Sequence, residues 1–120
     1  MKKSDVILGL ILIPREFHQR GNVSIYDLLK ETGYIEMHDQ FSEESIREIL
    51  AQHPECVDEW QLYSQDKRTS SGWYFEQEDE SSYIVGYFGG NEGENIQLRF
   101  ADRIAACAAF IKRESEDIRR

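Results

Sequence analysis

The chain has 120 residues, with 14 Lys and Arg against 23 Asp and Glu, for a net charge of −9. That length suits one domain able to bury a core without disulfide or metal staples. The charge disfavours non-specific contact with nucleic acid or anionic membrane and suits a basic partner.

At the N-terminus, Lys2 and Lys3 precede "VILGLILI", an apolar run of eight residues. It superficially resembles a signal peptide, but "PREFHQRG" follows with charges and no small-x-small cleavage site. The run is also far short of the roughly 20 residues that span a bilayer. Val6, Leu10, Ile13 and Phe17 share one helical face, and Ile7, Leu8, Ile11 and Leu12 make the rest apolar too. This predicts a centrally buried helix with Ser4 as its N-cap, which stops, kinks or restarts at Pro14. A strand over 5–13 is the alternative, because that stretch contains several β-branched residues.

A second helix is marked by Ser24 and Asp27 at capping-box spacing and by Gly33 beyond "IYDLLKET". A third follows Ser42, with Glu43 and Glu44 at its positive end, a stripe of Ile46, Ile49 and Leu50, and Pro54 closing it. "GYIEMHDQF", between the two, carries no clear period. Thereafter "WQLYS", "GWYFEQ" and "YIVGYF" are short, aromatic and β-branched, and predict an antiparallel meander. After the Gly-rich "GGNEGEN", "IQLRF" reads as a fourth strand or the approach to a helix. "DRIAACAAFIKRESEDI" predicts a last helix whose alanines permit close packing on a sheet. The expected architecture is one α+β domain over 1–120: N-terminal helices, a central meander of three to four strands, and a C-terminal helix on the sheet.

Chemistry is sparse. Cys56 and Cys107 make no disulfide framework, and neither has basic residues placed to activate it; both are expected to be reduced and structural, as in the cytoplasm. His53 and Cys56 have an H-x-x-C spacing but no second pair of soft ligands to complete a zinc site. Glu76, Glu78 and Glu80 can align on one strand face, yet no calcium-loop pattern accompanies them. No nucleophile motif, dinucleotide fingerprint or phosphate loop occurs. The expectation is therefore no catalytic residue, no metal and no cofactor: a binding protein, not an enzyme.

Alternation puts Trp73 and Phe75 on the inner face of the sheet and Tyr74 and Glu76 on the other. Tyr63, on the expected first strand, joins the outer tyrosines. The run Glu76 to Glu80, with Glu92 and Glu94 on the next turn, would form an acidic rim able to steer a basic partner. The expected partner-binding residues are Tyr63, Tyr74, Glu76, Glu78, Asp79 and Glu80. A winged-helix reading fits the element order. Its recognition helix, however, would offer Glu43, Glu44 and Glu48 against Arg47 alone, and its wing only Lys67 and Arg68.

The combination "EWQLYSQDKRTSSGWYF", "SSYIVGYF" and "ACAAFIKRE" resembles a group of small bacterial proteins. More loosely, the acidic α+β character is similar to immunity proteins of polymorphic and contact-dependent toxin systems. The likeness covers residues 59–114 and transfers no functional residue. It implies a cytoplasmic inhibitor that occupies a toxin, such as a nuclease, at or beside its active site. The alternatives from the residues alone are a homodimeric structural or regulatory module and a winged-helix-like DNA-binding protein. The sequence leaves the oligomeric state open.

Overall fold

In the computed structural model, which describes residues 2–66, 72–89 and 96–119, the apolar N-terminal run is helical. Helix α1 (Lys3–Ile11) buries Val6, Ile7, Leu10 and Ile11. It breaks at Leu12, and α2 (Ile13–Arg20) restarts with Pro14 in its first turn, where a missing N–H is tolerated. At the break the Ile11 carbonyl accepts a hydrogen bond from Trp60 Nε1 at 2.9 Å. Ser4 does not cap α1: the helix begins at Lys3, with Ser4 already inside it, and no side chain caps it.

Helix α3 (Ile25–Thr32) is capped as expected, by the Ser24 side chain accepting from the Asp27 N–H and by left-handed Gly33. The stretch without a period forms a single turn, α4 (Tyr34–Met37), and a 3-10 turn (His38–Gln40). Helix α5 (Glu43–Leu50) follows the Ser42 cap, which exchanges hydrogen bonds with Ser45.

The clearest correction concerns "WQLYS", expected as a strand. It lies within helix α6 (Glu55–Asp66). Cys56, Val57, Trp60 and Ser64 are all buried, at the 3–4 spacing of one helical face. The aromatics that suggested a strand are there to fill the core. Pro54 accordingly stands at the entry to α6, where its carbonyl accepts from the Val57 N–H.

Among the described residues, three antiparallel strands in the order β1–β2–β3 make the sheet: β1 (Gly72–Asp79), β2 (Ser82–Phe88) and β3 (Ile96–Phe100). Helix α7 (Arg103–Arg119) packs between this sheet and the N-terminal helices. It is buried on nearly every side from Ala106 to Ile111. Its small side chains let neighbours approach closely. Phe110 stacks on Phe75 at 5.9 Å and meets Trp60 edge-on at the same distance. One hydrophobic core runs from α1 to α7, and the architecture is α+β.

The two sheet edges differ. Beside β1, the buried Ser64 Oγ of α6 accepts from the Phe75 N–H at 2.8 Å, which ends the sheet there. The other boundary is β3, whose pairing with β2 runs from Tyr83↔Phe100 to Tyr87↔Ile96. No helix of the described residues is long and apolar enough to cross a membrane.

Candidate protein-binding face of the sheet

Strand alternation divides the sheet by register. Trp73, Phe75 and Val85 face α7, where Phe75 and Val85 are buried and Arg113 lies over the Trp73 ring at 5.2 Å. Tyr74, Glu76, Ile84, Gly86, Phe88, Gln97 and Arg99 point the other way. Tyr74 and Glu76 are half-buried there, while Gln97 and Arg99 are exposed and Phe88 is 56% exposed.

Gly86 organises this face. It pairs with Tyr74 on β1 and Gln97 on β3. A Cβ at position 86 would lie 2.4 Å from Tyr74 Cζ and Oη, and 2.7 Å from the Ile96 carbonyl oxygen. The Tyr74 ring therefore lies flat across β2 in the space a side chain would fill, and its hydroxyl accepts from Gln97 Nε2 at 3.2 Å. An aromatic laid over a cross-strand glycine also shields strand backbone.

One step along, Arg99 Nε reaches back across β2 to Glu78 Oε2 at 3.0 Å. Ile84, which β2 presents at that level, is 5% exposed. The register slips between Gln77 and Asp79, so Glu78 sits at a bulge, a device that re-aims a side chain.

Asp79 ends β1 and Glu80 opens the turn to β2. Asp79 Oδ1 accepts from the Ser81 N–H at 2.8 Å, and this bond, with further serine contacts, holds its carboxyl below the usual aspartate range. Glu80 has left the strand, so it does not extend the row of Glu76 and Glu78 as expected. Glu92, Glu94, Lys67 and Arg68 lie outside the described residues.

Tyr63 is not on this face, because α6 is a helix. Its hydroxyl donates to buried Glu114 Oε2 at 2.8 Å, its ring packs edge-on against Trp60 at 5.4 Å, and burial followed by Glu114 pushes its phenol upward. The structure thus sets Tyr74 and Glu76 on one face of β1, with Glu78 at its bulge, Asp79 at its end and Glu80 in the following turn, and separates Tyr63 from them. Gly86, Gln97 and Arg99 were missed. A lone glycine inside "YIVGYF" was the available signal, since glycine in a strand interior marks close approach by another group.

Two other polar or concave sites read differently. Tyr34 donates to Glu116 Oε2 at 2.7 Å and accepts from Lys112 Nζ at 2.8 Å; Lys112 also donates to the His38 carbonyl at 2.8 Å. Arg119 completes the Glu116 carboxylate. Burial and then Glu116 push the Tyr34 phenol up, and burial lowers the Lys112 ammonium. The set fastens α4 to the end of α7, with its groups occupied by one another.

Between α2 and α6 lies a half-open groove of about 860 Å³, lined by Pro14, Phe17, Ile25 and Leu62. Glu59 grips Arg15 at 2.7 and 3.0 Å on its wall. The Arg15 guanidinium also lies 3.9 Å from Cys56 Sγ, a basic neighbour invisible in sequence. Burial, then Glu59, nevertheless raise the Cys56 thiol, and burial raises Cys107 further, so neither is an activated thiolate. Among the described residues no cluster of three or more His, Cys, Asp or Glu gathers to hold a metal.

Comparison with models of known protein families, with curated proteins and with solved structures finds no match for this chain.

Proposed function

We propose that this chain is a non-enzymatic, cytoplasmic binding protein: an immunity protein that neutralises a basic bacterial toxin domain, a nuclease being the class its charge suits best. The observation that carries the reading is the outer sheet face. There Tyr74 is held flat by Gly86 and Gln97 on the same strand that carries Glu76, Glu78 and, at its end, Asp79, with Arg99 as the counter-charge to Glu78.

A nuclease gathers cations to hold a phosphate backbone. A surface of carboxylates steers toward such a site and accelerates the encounter, while an aromatic already fixed in place offers contact area at little entropic cost. The protein's charge of −9 extends the attraction over the whole molecule. By contrast, α5, the would-be recognition helix of a DNA-binding reading, buries Ile46 and Leu50 and exposes Glu44, Arg47 and Glu48.

The test asks first whether a basic toxin domain is encoded beside this chain's gene, and then measures binding to it by stopped-flow and by inhibition of its activity. Glu78→Lys with Glu80→Lys should slow association roughly tenfold at low salt and flatten its salt dependence. Tyr74→Ala should chiefly speed dissociation. Association and dissociation both unchanged in folded variants would remove this face from the interface.

A further inference from the structure

Independently of that reading, we infer that the edge of β3 away from β2 is a self-association site, at which a second copy of this chain adds its own β3 antiparallel to the first. Among the described residues no further strand pairs with this edge. Edge strands are normally guarded by charged side chains projecting over the unpaired backbone. Here both polar side chains on the outer face of β3 are turned away from the edge. Gln97 reaches back over Gly86 to Tyr74, and Arg99 reaches back over β2 to Glu78. On the inner face the strand carries only Ile96, Leu98 and Phe100, and Ile96 is 46% exposed. Phe100 packs against the core under α7, so the apolar row is covered at that end and open at Ile96.

The strand is complementary to itself. Pairing centred on Leu98 sets Ile96 opposite Phe100 of the second copy and Gln97 opposite its Arg99. Apolar side chains meet on one face, and the two guanidiniums are never directly opposed. Such an arrangement is two-fold and closed, so it stops at a dimer with one continuous six-stranded sheet. A contact built around five residues of strand is smaller than a tight interface, so the dimer is weak and concentration-dependent.

Light scattering behind size-exclusion chromatography, from about 10 µM to about 1 mM, should show the mass climbing from 14.1 kDa toward twice that value. Ile96→Lys should retain the wild-type circular dichroism and melting curve, because Ile96 is half exposed, and weaken dimerisation at least tenfold, about 1.4 kcal/mol. As a second measurement, Gln97→Cys and Arg99→Cys chains are mixed and oxidised. The mixture should give disulfide-linked dimer well above either variant alone; the native Cys56 and Cys107 are buried and do not compete. A mass fixed at 14.1 kDa throughout, or Ile96→Lys dimerising like wild type, would overturn the proposal. So would Gln97→Cys linking to itself in preference, or a monomeric chain that takes an extended segment of another protein on this edge.

Discussion

Replacing Gly86 by alanine adds one methyl group in the middle of β2, and the geometry states what it meets. The new Cβ lies 2.4 Å from the end of the Tyr74 ring and 2.7 Å from the Ile96 carbonyl oxygen. The ring can swing outward, giving up its cover of the strand and the exposed bond from Gln97, together about 1 kcal/mol. The carbonyl belongs to the β3 backbone and moves only if β2 and β3 separate by several tenths of an ångström, an overpacking cost of about 1–3 kcal/mol. Alanine recovers up to about 1 kcal/mol, because glycine loses more conformational freedom on ordering in a strand. The net expectation is a destabilisation of about 1–3 kcal/mol, read as a lower urea midpoint at constant slope. In a Tyr74→Ala background the ring contribution disappears and the carbonyl contribution stays, so the same substitution should cost about 1 kcal/mol less. A Gly86→Ala protein within about 0.5 kcal/mol of wild type would refute the close approach. Equal costs in both backgrounds would refute the seating of Tyr74 on Gly86.

Three further outcomes are expected. Trp60→Phe removes the indole donor to the Ile11 carbonyl and leaves a void beside Phe110; chemical denaturation should register a loss of about 2–4 kcal/mol. Ser64→Ala takes the acceptor from the Phe75 N–H at the closed sheet edge. It should cost about 1–3 kcal/mol and speed hydrogen exchange at that amide, and an unchanged exchange rate would contradict the bond. Burial alone would raise Glu116, but bonds from Arg119 and Tyr34, with Lys112 nearby, hold it below its ordinary value of 4.5. A depressed carboxyl contributes stability that is fully present above the unfolded value and is lost as pH falls through the folded one. Melting temperatures should therefore fall below about pH 5 in wild type, and Glu116→Gln should flatten that limb; equal slopes would contradict the network.

Helix boundaries set by local chemistry were legible in the sequence. Ser24, Ser42 and Gly33 act through hydrogen bonds and backbone conformations within a few residues, so their roles did not depend on what packs nearby. The alternation of "GWYFEQ" likewise placed Phe75 inward and Tyr74 outward before any partner strand was known. "WQLYS" was misread because its aromatics carry the same composition in a buried helix as in a strand. What decides between them is the 3–4 spacing that links Trp60 back to Val57 and Cys56.

The candidate face depended on tertiary structure in a different way. The acidic run from Glu76 to Glu80 is a property of the sequence, but Gln97 and Arg99 stand about twenty residues away and join it only through strand register. Tyr63 left the face for the same kind of reason, since the helix carried it to Glu114. Alone, the sequence determined an acidic α+β chain, the caps at Ser24, Gly33 and Ser42, and the inward and outward sides of β1, because those follow from composition and short-range periodicity. Only the tertiary structure decided which side chains fold back over β2, which edge of the sheet is closed by Ser64 and which, among the described residues, has no further strand beside it. These follow from contacts between segments that no local pattern relates.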